Sequence, residues 1–173
     1  MQKYYELIGE VSSNFNLLEM TIKGFVASLI NEQDHYKGFL VINDYQYSKL
    51  VTTFKMLFEH SIKDKKALKA FSKVYKRCAD INIKRNNILH SAYVEYDDGK
   101  ERKKVLRLSL KLRKGGLDST NISLKELEEF RTEMLKCYHN ICTIRYYLRV
   151  NKILVVDEEL DEDIDTYNID KLI

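Results

Sequence analysis

Residues 8–29, IGEVSSNFNLLEMTIKGFVASL, decide the fold class. Their apolar side chains recur as Ile8, Val11, Phe15, Leu18, Ile22, Phe25 and Leu29, in alternating steps of three and four. Counted from Tyr4, this spacing keeps one face of an α-helix apolar over about eight turns. A stripe that long has to be covered by other long helices.

Three further stripes supply the cover. Tyr47, Leu50, Val51, Phe54, Leu57 and Phe58 form one behind Asn43-Asp44, either of which can cap a helix start, while Asp34 to Ile42 reads as a loop. The next helix begins near Lys65 or Lys66, buries Leu68, Phe71, Val74, Tyr75 and Cys78, and meets no glycine or proline before His90. The last opens on a capping box, Ser123 with Glu126, and carries Leu127, Phe130, Met134, Cys137, Ile141, Ile144 and Leu148.

Between the last two helices the period changes to two. Ala92, Val94 and Tyr96, then Leu106, Leu108, Leu110 and Leu112, alternate with polar residues including Arg107, Ser109, Lys111 and Arg113. This predicts a β-hairpin over about residues 91–114, turning at Asp98-Gly99 and closed by Gly115-Gly116. The expected fold is mainly α: a four-helix-type up-and-down bundle with a β-hairpin inserted between the third and fourth long helices.

Composition fits one domain. A chain of 173 residues with 45% hydrophobic composition can bury a single core but not two. No stretch approaches the roughly 20 apolar residues of a membrane span, and Met1 to Glu6 lead into an amphipathic helix rather than a signal peptide. A cytoplasmic protein without a membrane partner is expected. Cys78, Cys137 and Cys142 are odd in number and fall within helical patterns, so they read as buried packing residues. Cys137, His139 and Cys142 supply neither a common helix face nor a fourth ligand, so no metal and no cofactor is expected.

Charge is divided unevenly. Residues 157–173 hold eight acids against Lys171, a net of −7, so the remaining chain carries +10 of the overall +3. Residues 1–156 therefore read as one basic helical domain and 157–173 as an acidic, mobile tail or one laid on a neighbouring surface. A basic body favours an anionic partner.

The chemistry concentrates in Arg85-Asn86-Asn87-Ile88-Leu89-His90. Histidine is the side chain that ordinarily titrates near neutrality, suited to taking or giving a proton. Arg85 is a permanent, forked cation suited to phosphate, and Asn86, four residues before His90, shares its helix face and can orient the imidazole. Arg85 lies about 140° around the helix from His90, so the two meet only if the arginine swings or the helix end deforms. The plain alternative is that arginine and histidine here complement the helix dipole and cap its carbonyls.

The pattern Arg-Asn-x3-His at the end of the third helix of a bundle, with Ser91 following, resembles the signature of the HEPN superfamily of helical-bundle ribonucleases and nucleotide-binding domains. The resemblance covers about residues 1–150 by pattern. It implies a metal-independent endoribonuclease, a toxin or phage-defence effector, with Arg85, Asn86 and His90 catalytic. It also implies a homodimer whose motifs share a cleft, with RNA as substrate and an antitoxin or nucleotidyltransferase as a further partner. Arg107, Lys111 and Arg113 on an exposed strand face are expected to track the RNA backbone, with Tyr93 stacking on a base; the plain alternatives are a solvated edge strand protected by its charges and aromatic packing within the hairpin. The competing readings are a catalytically silent dimerisation or partner-binding module, and an RNA-binding protein that does not cleave.

Overall fold

The computed structural model describes residues 1–97, 103–111, 116–154 and 168–173. The chain is mainly helical, with one small antiparallel sheet. The elements run α1 (Gln2–Ile30), α2 (His35–Ile42), α3 (Tyr47–Ser61), α4 (Lys65–Leu89), β1 (Ala92–Asp97), β2 (Lys103–Lys111), β3 (Gly116–Asn121) and α5 (Leu124–Val150). A short 3-10 turn, Ile169–Leu172, ends the chain.

The four expected stripes form the core. Val11, Phe15, Leu18, Ile22, Phe25 and Leu29 of α1 are buried, as are Phe130, Met134, Cys137, Ile141, Ile144 and Leu148 of α5, and α1 lies along α5. At the other end of α1, four rings interlock. Phe25 meets Phe54 at 5.0 Å, Phe54 meets Phe71 edge-on at 4.8 Å, and Phe58 stacks on Phe71 at 4.0 Å. Such contacts add to the burial energy of each ring and fix α1, α3 and α4 relative to one another. All three cysteines are buried, and the sulfurs of Cys78 and Cys137 lie 3.5 Å apart between α4 and α5.

Two stretches depart from expectation. Residues 35–42, expected as a loop, form α2. Asn31 ends α1 in an extended conformation, and its side-chain oxygen accepts from the Gln33 and Asp34 amides. Asp34 then caps α2 by accepting from the Lys37 amide. Gly38 lets α2 press against α1: a Cβ there would lie 2.7 Å from the Ala27 Cα and 2.8 Å from its carbonyl carbon. The α3 cap is also displaced, because Gln46 occupies the N-cap position without a side-chain hydrogen bond and neither Asn43 nor Asp44 serves.

The second departure is β3. The hairpin strands are present as β1 and β2, but Gly116–Asn121 adds a third strand in the order β1-β2-β3. The turn at Asp98-Gly99 lies outside the described residues. In the C-terminal segment, residues 168–173 are laid on the body. Ile169 is buried, Lys66 pairs with Asp170 at 2.6 Å, and Lys73 donates to the Ile173 carbonyl at 2.5 Å. Residues 155–167, with most of the acidic tail, are outside the described residues.

Candidate functional site

The motif occupies the last turn of α4. Ile88 is buried and anchors it, while Asn86, Asn87 and His90 are exposed on either flank. His90 is the C-cap, out of helical geometry at φ −100° and ψ 25°, and its backbone N–H donates to the Asn86 carbonyl at 3.1 Å. Ser91 donates its hydroxyl to the Asn87 carbonyl at 2.5 Å, and Tyr93 donates to the Ile88 carbonyl at 2.8 Å. These side chains satisfy carbonyls that the helix end leaves without intrahelical partners.

Arg85, Asn86 and His90 line one cavity of about 450 Å³, so the structure brings together the three motif residues. Phe15 and Glu19 of α1, Asn82 of α4, and Gln46, Tyr47 and Ser48 at the start of α3 complete the lining. Arg85 is half-buried, its guanidinium carbon 4.4 Å above the Phe15 ring, which itself packs on Tyr47 at 4.6 Å. One terminal nitrogen of Arg85 donates to Asn86 Oδ1 at 2.9 Å, and its Nε is enclosed without a partner. Asn86 therefore orients the arginine. The imidazole of His90 stands at the rim without a hydrogen-bond partner among the described residues.

The chemical capacity of this cavity follows from its lining. Arg85 offers a fixed cation with unspent donors, His90 a proton-transfer group, and Gln46, Ser48, Asn82 and Asn86 uncharged hydrogen-bonding groups. Glu19, paired with Lys23 at 3.0 Å, adds a carboxylate to the lining. Sequence reasoning missed the contributions of α1 and α3. Phe15 and Tyr47 belong to core stripes, and nothing in their spacing distinguishes a ring beneath an arginine from one packed wholly in the core.

The strand residues are placed differently from expectation. Tyr93, Arg107 and Thr120 are register partners across the three strands, so they share one face of the sheet. Tyr93 is tied to α4 by its hydroxyl, and Val105 on the same face is buried, so this face looks toward the helices. Arg107 is consequently half-buried, its Nε enclosed, rather than presented on an outer basic face. The leucine face, with Leu106 and Leu108 half-buried and Val94 exposed, is the outer one. Burial pushes the Tyr93 phenol up to about 12. The side chain of Lys111 and all of Arg113 lie outside the described residues.

No family model matches the chain, and no curated protein or solved structure is significantly similar to it. Among the described residues, no helix is long and apolar enough to cross a membrane.

Proposed function

We propose that the protein is a metal-independent endoribonuclease of the HEPN type, built as an up-and-down helical bundle and acting as a homodimer. The observation that carries this reading is the convergence of Arg85, Asn86 and His90 on one polar cavity at the end of α4. In the proposed reaction, the His90 imidazole takes the proton of a ribose 2′-hydroxyl. The 2′-oxygen then attacks the adjacent phosphorus, and the bond from phosphorus to the 5′-oxygen breaks. The products are a 2′,3′-cyclic phosphate and a 5′-hydroxyl, whose proton comes from an imidazolium or water. Arg85, held by Phe15 and Asn86, stabilises charge growing on the phosphate oxygens.

Two features favour a homodimer. His90 stands at the rim of its cavity, where a second chain can reach it. Ile83, 63% exposed, lies on the outer face of α4 about two turns before His90 and offers apolar contact area beside the motif. Action as a toxin or phage-defence effector, in the cytoplasm and under an antitoxin or nucleotidyltransferase, belongs to the same proposal.

The competing reading, a silent partner-binding module, draws on one observation: Arg85 is already engaged by Asn86 and Phe15, as a purely structural arginine would be. The deciding experiment is cleavage of mixed RNA by purified protein in excess chelator, beside Arg85→Ala and His90→Ala variants whose urea midpoints are measured in parallel. The ribonuclease reading requires cutting by wild type and its loss in both folded variants. Inactive wild type moves the conclusion to the silent module.

A further inference from the structure

The end of α4 has a second flank. Asn86 and His90 open on the motif cavity, whereas Asn87 and Ile88 line a separate cavity of about 620 Å³ beneath the sheet. Its floor is apolar, made by Ile88, Ile122 and Phe130, each less than a tenth exposed. Asn87 and Thr120 form its polar edge, while Asn121, paired with Leu106 and accepting from the Tyr96 hydroxyl at 3.0 Å, turns its side chain to the outer face of the sheet.

The third wall selects what can enter. Glu126, Glu129 and Glu133 project from the first turns of α5. Of the two cations in the lining, Lys84 pairs with Glu133 at 2.6 Å, and Arg107, near enough to Glu126 to hold its carboxyl down, keeps its Nε enclosed without a partner. Glu126 is itself engaged at the Ser123 cap. Glu129, exposed and paired among the described residues with Lys125 at 3.7 Å, is the carboxylate most available to a ligand. Three carboxylates against two cations leave the lining net acidic, which disfavours a phosphate relative to an uncharged group. A flat, uncharged group that covers the apolar floor and presents N–H donors to carboxylate oxygens is favoured.

We infer that this cavity is a nucleobase subsite, taking the base next to the scissile phosphate and preferring adenine, cytosine or guanine over uracil. The inference rests on the ribonuclease reading for the path of the strand, which crosses the end of α4 from one cavity to the other. The two openings are separated by the width of a helix, about 10 Å, which a neighbouring nucleotide spans. Adenine, cytosine and guanine carry an exocyclic amino group for Glu129 to accept from, with Asn87 and Thr120 completing the edge. Uracil has no exocyclic amino group, and its single N3–H is flanked by two carbonyl oxygens that face a carboxylate unfavourably.

The test uses single-stranded oligonucleotides with one ribose, so one cleavable linkage, and each of the four bases beside it in turn. Binding is read by fluorescence anisotropy with the His90→Ala protein and cleavage with wild type. The expected result is a preference of at least about tenfold over uracil in both readouts, reduced to about twofold by Glu129→Gln and by Asn87→Leu. Equal handling of all four bases, or a preference that survives both substitutions, overturns the subsite even while cleavage continues. A base preference in binding that both substitutions remove, without cleavage by wild type, sustains the subsite and sinks the ribonuclease reading. Binding of an oligoarginine peptide that Glu129→Gln abolishes, with RNA binding unaffected, reassigns the cavity to a basic protein segment.

Discussion

The packing of Arg85 on Phe15 makes a quantitative demand on stability that is independent of any activity. The guanidinium carbon stands 4.4 Å from the ring centroid, well inside the roughly 6 Å over which such pairs attract. Phe15 is 2% exposed and Arg85 half-buried, so the interaction lies between the exposed value, about 0.5–1 kcal/mol, and the desolvated one, about 2 kcal/mol. A coupling energy of about 1 kcal/mol is expected. It is measured by a double-mutant cycle of Arg85→Met, which keeps an apolar stem, and Phe15→Leu, which keeps a buried side chain. Each single variant is destabilised, Phe15→Leu further through its lost contact with Tyr47 at 4.6 Å. The double variant should be about 1 kcal/mol more stable than the sum of the two losses implies, roughly 0.5 M in urea midpoint at a typical slope of about 2 kcal/mol/M. Strict additivity would refute the claim that Phe15 holds the arginine, and with it the view that Arg85 is preorganised.

Other expectations concern the frame around the site. Gly38→Ala drives a methyl group into the Ala27 backbone, so it should cost about 1–3 kcal/mol or more and loosen α2 from α1, read as faster hydrogen exchange over residues 35–42. Ser123→Ala removes the α5 cap and should cost about 1 kcal/mol in urea unfolding. Tyr93 has its phenol raised by burial to about 12, above the unfolded value of about 10. The neutral phenol therefore contributes stability that is complete below about pH 10 and lost as pH climbs toward 12. Tyr93→Phe should lower stability at neutral pH by about 1 kcal/mol through the lost bond to Ile88, yet flatten the alkaline decline.

The long helices were legible because each buries a continuous stripe: positions such as Val11, Phe15 and Leu18, or Met134, Cys137 and Ile141, repeat often enough for periodicity to decide. Helix α2 was not, since its eight residues hold barely two turns and Gly38 disfavours a helix by local propensity. Its helicity comes from the Asp34 cap and from close packing on α1. Strand β3 was hidden because Gly116, Asp118 and Asn121 are poor strand formers, and pairing with β2 overrides their preference. The facing of the sheet was misread for a related reason. Leu106 and Leu108 favour burial, but the register pairing Tyr93 with Arg107, and the tie from Tyr93 to α4, turn the arginine inward. At the candidate site, the i and i+4 spacing of Asn86 and His90 was visible in the chain. The use of Asn86 to hold Arg85 was not, because adjacent residues on an ideal helix point apart and only the arginine's length allows the contact.

The most direct test of the central claim is the effect of one oxygen atom. An oligoribonucleotide with a mapped cleavage position is remade with a 2′-deoxyribose at that nucleotide, and both are incubated with the protein in excess chelator and analysed by mass spectrometry. The account predicts a 2′,3′-cyclic phosphate product from the all-ribose strand and an uncut bond at the deoxy position. Cleavage at the deoxy nucleotide, or no cleavage of the all-ribose strand, would contradict it.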